Sequence, residues 1–196
     1  MKHIALLLAC LLPAAAADVA VKGKTAGSPK APVTIEVFSD FQCAHCKLLH
    51  EQTLRPLMKD YVATGKVYLI HRDFPLPQHS LARPAAAYAS AAQRIGKYDQ
   101  VADAIFLNQE VWSANGRLED IVAAALTSSE MKQVETLSKD PAIAKEIQRD
   151  YEMGQAAKIN QTPTMIVKCN SITTPISGAV RYELLRSLID GQLKNK

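Results

Sequence analysis

Phe38-Ser39-Asp40-Phe41-Gln42-Cys43-Ala44-His45-Cys46-Lys47 joins an apolar, strand-like run to two cysteines separated by two residues. That spacing lets both sulfurs reach one disulfide within a single helical turn. If the turn opens a helix, Cys43 stands at the N-terminal end, where unpaired N–H groups and the macrodipole favour an anion and so favour thiolate over thiol. Cys43 is then the nucleophile and Cys46 its resolving partner. His45, between them, can add a positive charge or a donor near the Cys43 sulfur. The chemistry implied is thiol–disulfide exchange, and stabilising the thiolate stabilises the reduced pair, which makes the disulfide more oxidising.

Outward from this turn, Val33-Thr34-Ile35-Glu36-Val37-Phe38 is β-branched and nearly all apolar, the pattern of a buried parallel strand. On the other side, Leu48, Leu49, Leu54, Leu57, Met58, Tyr61 and Val62 recur at helical spacing to about Thr64, with a kink expected at Pro56. Gly65 ends that helix and residues 67–70 read as the next strand. A strand–helix–strand unit of this kind implies parallel pairing and a right-handed crossover. Residues 18–32, with Gly23, Gly27, Pro29 and Pro32, read as a lead-in without a core of its own.

From about residue 77 to 159 the chain is alanine-rich and reads as entirely helical, with helices over 83–95, 98–108, 118–126, 130–137 and 141–158. The last is the best marked: Asp140 is a natural N-cap, Pro141 occupies the first helical position, and Ile143, Ile147, Tyr151 and Gly154 share a face. Trp112 falls in a loop near Asn115-Gly116, as a packing anchor. Strand character returns over 161–167, and a turn at Cys169-Asn170-Ser171 before 172–176 suggests an antiparallel hairpin. Gly178 precedes a final amphipathic helix over 181–192, with Leu184, Leu185, Leu188 and Ile189 facing inward.

The chain has 196 residues and a net charge of +4, too mild to argue for nucleic acid. Met1-Lys2-His3, the apolar run 4–12 and Ala14-Ala15-Ala16-Ala17 have the three parts of a secretory signal, with cleavage expected after Ala17. The apolar run is too short to span a bilayer and no later segment approaches that length, so a soluble, exported mature chain is expected. Cys10 goes with the signal. Cys43, Cys46 and Cys169 remain, and two neighbours plus one leftover point to redox work, not to a set of structural disulfides. Cys169 reads as a lone thiol near the hairpin turn.

The element order, a CxxC at the start of the first core helix and Thr-Pro before the later strand pair together resemble the thioredoxin fold with a helical insertion, an α/β architecture. More narrowly, the chain resembles the DsbA-like family of exported thiol–disulfide oxidoreductases. The matching residues are Ala31-Pro32-Val33-Thr34-Ile35, the Phe38–Cys46 stretch, Phe74-Pro75-Leu76, Thr162-Pro163-Thr164 and Ile176-Ser177-Gly178. The resemblance implies a thioredoxin-like domain from 33–76 and 160–193, with 77–159 as the inserted helical domain. It also implies a redox-active Cys43–Cys46 disulfide, with Cys43 forming the mixed disulfide, Cys46 resolving it and His45 tuning the thiolate. Pro163 would be a cis-proline beside the sulfurs and, with Thr162, would bind an extended substrate strand. No cofactor or metal is implied.

For such a family the substrates are unfolded or extended exported polypeptides, the compartment is the periplasm, and the protein acts as a monomer. Reoxidation implies a quinone-linked membrane thiol oxidase, DsbB-like or VKOR-like. Two positions depart from the pattern. Val37 stands where many relatives carry Glu, so proton handling falls to Glu36, to Asp40 or to water, and Glu36 is expected on the other sheet face. Thr162 stands where the strongest oxidases often carry valine, and resembles reductase and isomerase branches. No segment before Ala31 is long enough for the dimerisation domain of such isomerases, and an oxidase is the expectation.

Rival readings are a reductase or isomerase of the same fold, a redox-inactive binding module, and a metal site built from Cys43, Cys46 and His50. Covalent haem attachment requires His directly after the second cysteine, where Lys47 stands. His71 and His79, flanking Phe74-Pro75-Leu76, are expected to serve local hydrogen bonding.

Overall fold

The computed structural model describes Lys24–Lys194, so the proposed signal segment and Cys10 lie outside the described residues. Five strands form one sheet in the order β1-β3-β2-β4-β5: β1 (Thr25–Ala26), β2 (Val33–Ser39), β3 (Val67–Asp73), β4 (Thr164–Cys169) and β5 (Ile172–Ser177). Strands β2 and β3 run parallel from Val33↔Val67 to Ser39↔Asp73, while β4 lies antiparallel on the other side of β2. The sheet places β2 at its centre, and its chain leaves directly into the CxxC turn. The lead-in contributes more than its composition suggests. Thr25 and Ala26 pair with Ile70 and Leu69, and the His71 N–H donates to Lys24 O. That pairing, with the register continuing past Val37↔His71, carries β3 three residues beyond the expected end.

Alternation along β2 sends Val33, Ile35 and Val37 to one face. There they meet Val67, Leu69, Met165 and Val167, covered by Leu49, Leu54 and Leu57 of the helix after the turn and by Leu185 and Ile189 of the last helix. The post-turn helix opens as α1 (Ala44–Leu49) and stays right-handed to Val62, passing through π-helical turns at His50–Leu54 and Met58–Val62 on either side of α2 (Arg55–Leu57). The kink expected at Pro56 is therefore taken up as widened turns. Proline supplies no N–H and its ring crowds the carbonyl one turn back, which a π turn accommodates.

Between β3 and β4 lie six helices: α3 (Ala82–Arg94), α4 (Tyr98–Leu107), α5 (Gln109–Asn115), α6 (Leu118–Ala125), α7 (Ser128–Ser138) and α8 (Pro141–Ala156). Trp112 is in α5, fully buried, with Nε1 donating to Ile105 O at 2.7 Å, so the packing anchor stands in a helix and not in a loop. Asn108 separates this helix from the preceding one, and Asn115-Gly116, the pair that signals a loop, is the end of α5, with Gly116 as its cap at φ 75°. Helix α7 starts two residues before its expected start, because Thr127 and Glu130 close a capping box. Asp140 caps α8 as expected, accepting from Ala142 N at 2.8 Å. The last helix, α9, spans Tyr182–Lys194.

A buried ion network ties α8 to the sheet. Lys24 Nζ contacts Asp73, Asp150 at 3.1 Å and Glu146 at 3.3 Å, and Arg72 bridges Asp150 and Glu36. Burial pulls the Lys24 ammonium towards neutrality, but Asp73 and Asp150 outweigh it and hold the charge. Farther along α8, Gly154 faces Phe74 and Phe38, which meet edge to face, while Phe74 also stacks on Tyr151. A Cβ at 154 would lie 2.5 Å from two Phe74 ring atoms and 3.1 Å from Phe38. Replacing Gly154 by alanine gains helix propensity, but the ring it meets is already packed against Tyr151 and Phe38. Gly154→Ala is thus expected to destabilise by about 1–3 kcal/mol, read as a lower urea midpoint with an unchanged slope. A midpoint equal to wild type would show that Phe74 yields freely.

Candidate active site

Strand β2 ends at Ser39, Asp40 begins a turn, and Cys43 is the N-cap of α1, with φ −83° and ψ 121°. Its carbonyl accepts from Cys46 N at 3.0 Å and Lys47 N at 3.2 Å, so the helix begins on the nucleophile candidate itself. Both cysteines are thiols here, the reduced form of the pair. Cys43 is 8% exposed and Cys46 1%. They pack with Phe41 into the alanine-rich cluster of the helical segment and not into the sheet cluster.

The two sulfurs are treated oppositely by their surroundings. The Cys43 pKa is pulled down to about 5, first by a hydrogen bond from the Cys46 thiol. Burial opposes this, while the Thr162 side chain and the backbone N–H groups of Cys46 and His45 add to it. The Thr162 hydroxyl is buried and makes no well-formed hydrogen bond of its own, so its effect on Cys43 is that of a nearby dipole. The Cys46 thiol is pushed well up, by burial first and then by its own bond to Cys43 and the charge there. The Ser39 hydroxyl and then the Asp40 N–H, which donates to Cys46 Sγ at 3.4 Å, offset only part of this.

Opposite the turn, the Thr162–Pro163 bond is cis, and the Cys43 thiol donates to Thr162 O at 3.4 Å. The fold thus brings Cys43, Cys46, Thr162 and Pro163 together. His45 is exposed, and its influence on Cys43 runs through its backbone N–H. Glu36 sits between neighbouring strands. Oε2 accepts from Arg72 Nε and Nη2, both at 3.0 Å, and Oε1 from Lys168 at 2.6 Å. Burial pushes its carboxyl up, but the bonds from Lys168 and Arg72 hold it below the usual range. His50, the third ligand in the metal reading, bonds Asp103 at 2.6 Å and stacks on Phe106. Among the described residues no three His, Cys, Asp or Glu side chains are grouped to hold a metal ion. Cys169 is buried at the end of β4, its thiol 3.8 Å from Gln192 O. Burial pulls the His71 ring down to about 3, with the His50 and Lys24 charges adding to the shift.

Residues that sequence reasoning passed over complete the turn. Gln109 of α5, buried, donates from Nε2 to Phe41 O at 2.6 Å and to Cys43 O at 3.0 Å. Gln42 accepts from Leu81 N at 2.8 Å through its side chain. A lone Gln in an amphipathic helix carries no signal of such a contact, since the pairing depends on how α5 is laid over the turn.

A thioredoxin fold with a helical insertion and a thiol pair at the head of its first core helix defines a thiol–disulfide oxidoreductase. The chain belongs to the thioredoxin family, whose model matches residues 20–191, and within it to the DsbA-like oxidoreductases. It is similar to the probable disulfide bond formation protein D of Bacillus anthracis, 26% identical over 177 residues that cover 86% of this chain and 77% of that one. A cysteine-to-alanine variant of α-DsbA1 from Wolbachia pipientis superposes with a TM-score of 0.74 at 25% identity, covering 88% of this chain and 90% of that one. DsbA2 of Pseudomonas aeruginosa gives 0.68 at 25%, covering 87% and 94%.

The lowered pKa has a direct readout. Thiolate absorbance in the ultraviolet should titrate with a midpoint of about 5, and a midpoint near that of free cysteine, about 8.5, would contradict the donor arrangement. The folded pKa lies below the unfolded one. The ionised sulfur therefore stabilises the reduced protein fully above about 8.5, and this contribution shrinks as pH falls and is gone below the folded value. Unfolding midpoints of the reduced form, referred to those of the oxidised form, should rise across that interval.

Proposed function

We propose that this chain is an exported oxidase of the periplasm that donates a Cys43–Cys46 disulfide to unfolded or extended polypeptides. The observation that carries the reading is the split between the two thiols, with Cys43 drawn down to about 5 and Cys46 pushed up. A thiol that ionises two decades of proton concentration below neutrality stabilises the reduced form by roughly 3 kcal/mol, or ~60 mV. That gain favours giving the disulfide away.

In the reaction a substrate thiolate attacks Cys43 Sγ. The Cys43–Cys46 bond breaks, Cys46 leaves as a thiolate and takes up a proton, and the substrate is joined to Cys43. A second substrate thiolate then attacks the substrate sulfur of the mixed disulfide, expelling Cys43 as the stabilised thiolate. The substrate leaves oxidised and the enzyme is left with two reduced cysteines. Thr162 and Pro163 would hold the extended substrate beside Cys43. Glu36 has both oxygens taken by cations and Asp40 has both of its own hydrogen-bonded, which favours water as the proton carrier at Cys46. In this reading the enzyme works as a monomer and is reoxidised by a quinone-linked membrane thiol oxidase, DsbB-like or VKOR-like. The relatives named as disulfide bond formation protein D fit this reading.

A second reading, a reductase or isomerase of the same fold, draws on Thr162 before the proline. Equilibration with glutathione separates the two. For the oxidase the Cys43/Cys46 potential should lie well above the roughly −240 mV of the glutathione pool. A value near about −270 mV, that of thioredoxin, would overturn the oxidase reading and direct attention to an electron donor.

A further inference from the structure

The main chain of Asp40 touches both cysteines. Its carbonyl accepts from Cys43 N at 3.1 Å, and its N–H donates to Cys46 Sγ at 3.4 Å. What holds those two peptide units is the Asp40 side chain, which is wholly buried. Its Oδ1 accepts from Gln42 N at 2.7 Å, and its Oδ2 accepts from Leu76 N at 2.8 Å and from Nδ1 of His79 at 2.8 Å. Two of these donors are backbone groups of the turn and of the Phe74-Pro75-Leu76 segment. The third is a side chain from the loop that leads into α3, about a quarter exposed, beside a cleft lined by Pro75, Pro77, Ser80, Arg83 and Tyr151. Removing a donor from a fully buried carboxyl leaves an acceptor unmet, and the group then shifts to find another.

We propose that His79 is a positioning residue for the exchange reaction: through Asp40 it aims the Asp40 N–H at Cys46 and sets how readily that sulfur carries charge. The role rests on the oxidoreductase reading above. In disulfide donation Cys46 is the leaving thiolate. When the reduced pair is reoxidised through a mixed disulfide on Cys43, the Cys46 thiolate attacks Cys43 Sγ, the bond from Cys43 to the partner sulfur breaks, and the partner leaves as a thiolate. Negative charge stands on Cys46 in both directions, and the Asp40 amide is the backbone donor to it. Of the donors to Cys43, those of His45 and Thr162 do not pass through Asp40, and the Cys46 thiol donates while it is still protonated, so loss of His79 falls on the step in which Cys46 carries the charge.

The test uses glutathione disulfide with the reduced protein, acid-quenched and read by intact mass. Formation of the Cys43–glutathione adduct reports attack by Cys43, and its decay reports attack by Cys46. In His79→Leu the adduct should form at the wild-type rate but persist about tenfold longer, the worth of one hydrogen bond to a charged group. His79→Asn, whose Nδ2 replaces the Nδ1 donor, should restore the wild-type lifetime. If His79→Leu does not fold, His79→Phe keeps the ring volume, lacks the donor, and carries the same expectation. Equal slowing of both steps, an unchanged lifetime in the donor-free variants, or no rescue by His79→Asn overturns the role of His79. A wild-type protein that forms no adduct on Cys43 overturns the oxidoreductase reading and this role with it.

Discussion

Negative charge on a sulfur that is 8% exposed is the condition the rest of the structure has to meet at Cys43. Burial alone would push that thiol up, as it does Cys46 three residues later. The difference lies in donors delivered from several directions: amide groups at the start of α1, the Cys46 thiol, and the Thr162 dipole from the loop before β4. Their convergence depends on the sheet. Because β4 lies antiparallel to β2, with Thr164 opposite Phe38, the residues just before β4 come level with those just after β2. The strand order therefore brings Thr162 to Cys43.

The helical insertion is bound into the same arrangement. Gln109 reaches from α5 to the carbonyls of Phe41 and Cys43, and the loop entering α3 sends Leu76 N to Asp40 and Leu81 N to Gln42. Away from the turn, the Lys24, Asp73, Asp150 and Arg72 network fixes α8 against β3. Buried ion pairs contribute little net stability, yet breaking one strands a charge, so such a network fixes geometry more than it adds stability. Its members come from the lead-in, the sheet and the insertion, which makes the seat of the insertion relative to the sheet a jointly held property.

Much of this was legible in the chain. The run from Val33 to Phe38, the cysteine spacing, the Asp140-Pro141 helix start and the Thr162-Pro163 pair each carry a local physical meaning, and the strand order and the cis bond follow that pattern. What stayed hidden depends on contacts far apart in sequence. Thr25 and Ala26 form a strand only because Leu69 and Ile70 offer an edge. Asn115 and Gly116 read equally well as loop or as a helix end until Trp112 is seen to be buried in α5. His79 looks like any loop histidine, since its partner lies 39 residues away.

The two cores are built from different materials. On the sheet side, branched residues such as Val33, Ile35, Leu57 and Ile189 fill the space, and volume-conserving exchanges among such side chains cost little. The cluster that takes in the two cysteines is filled on the insertion side by Ala85, Ala86, Ala89, Ala91 and Ala92 of α3, all buried, where that helix packs against α4, α7 and α8. An alanine in such a seam has nowhere to grow without driving two helices apart, and nothing to lose except its one methyl group. Over long divergence the sheet core is free to drift by trading one branched residue for another, while the alanine seam of the insertion has almost no neutral alternatives and keeps its alanines or moves as a block.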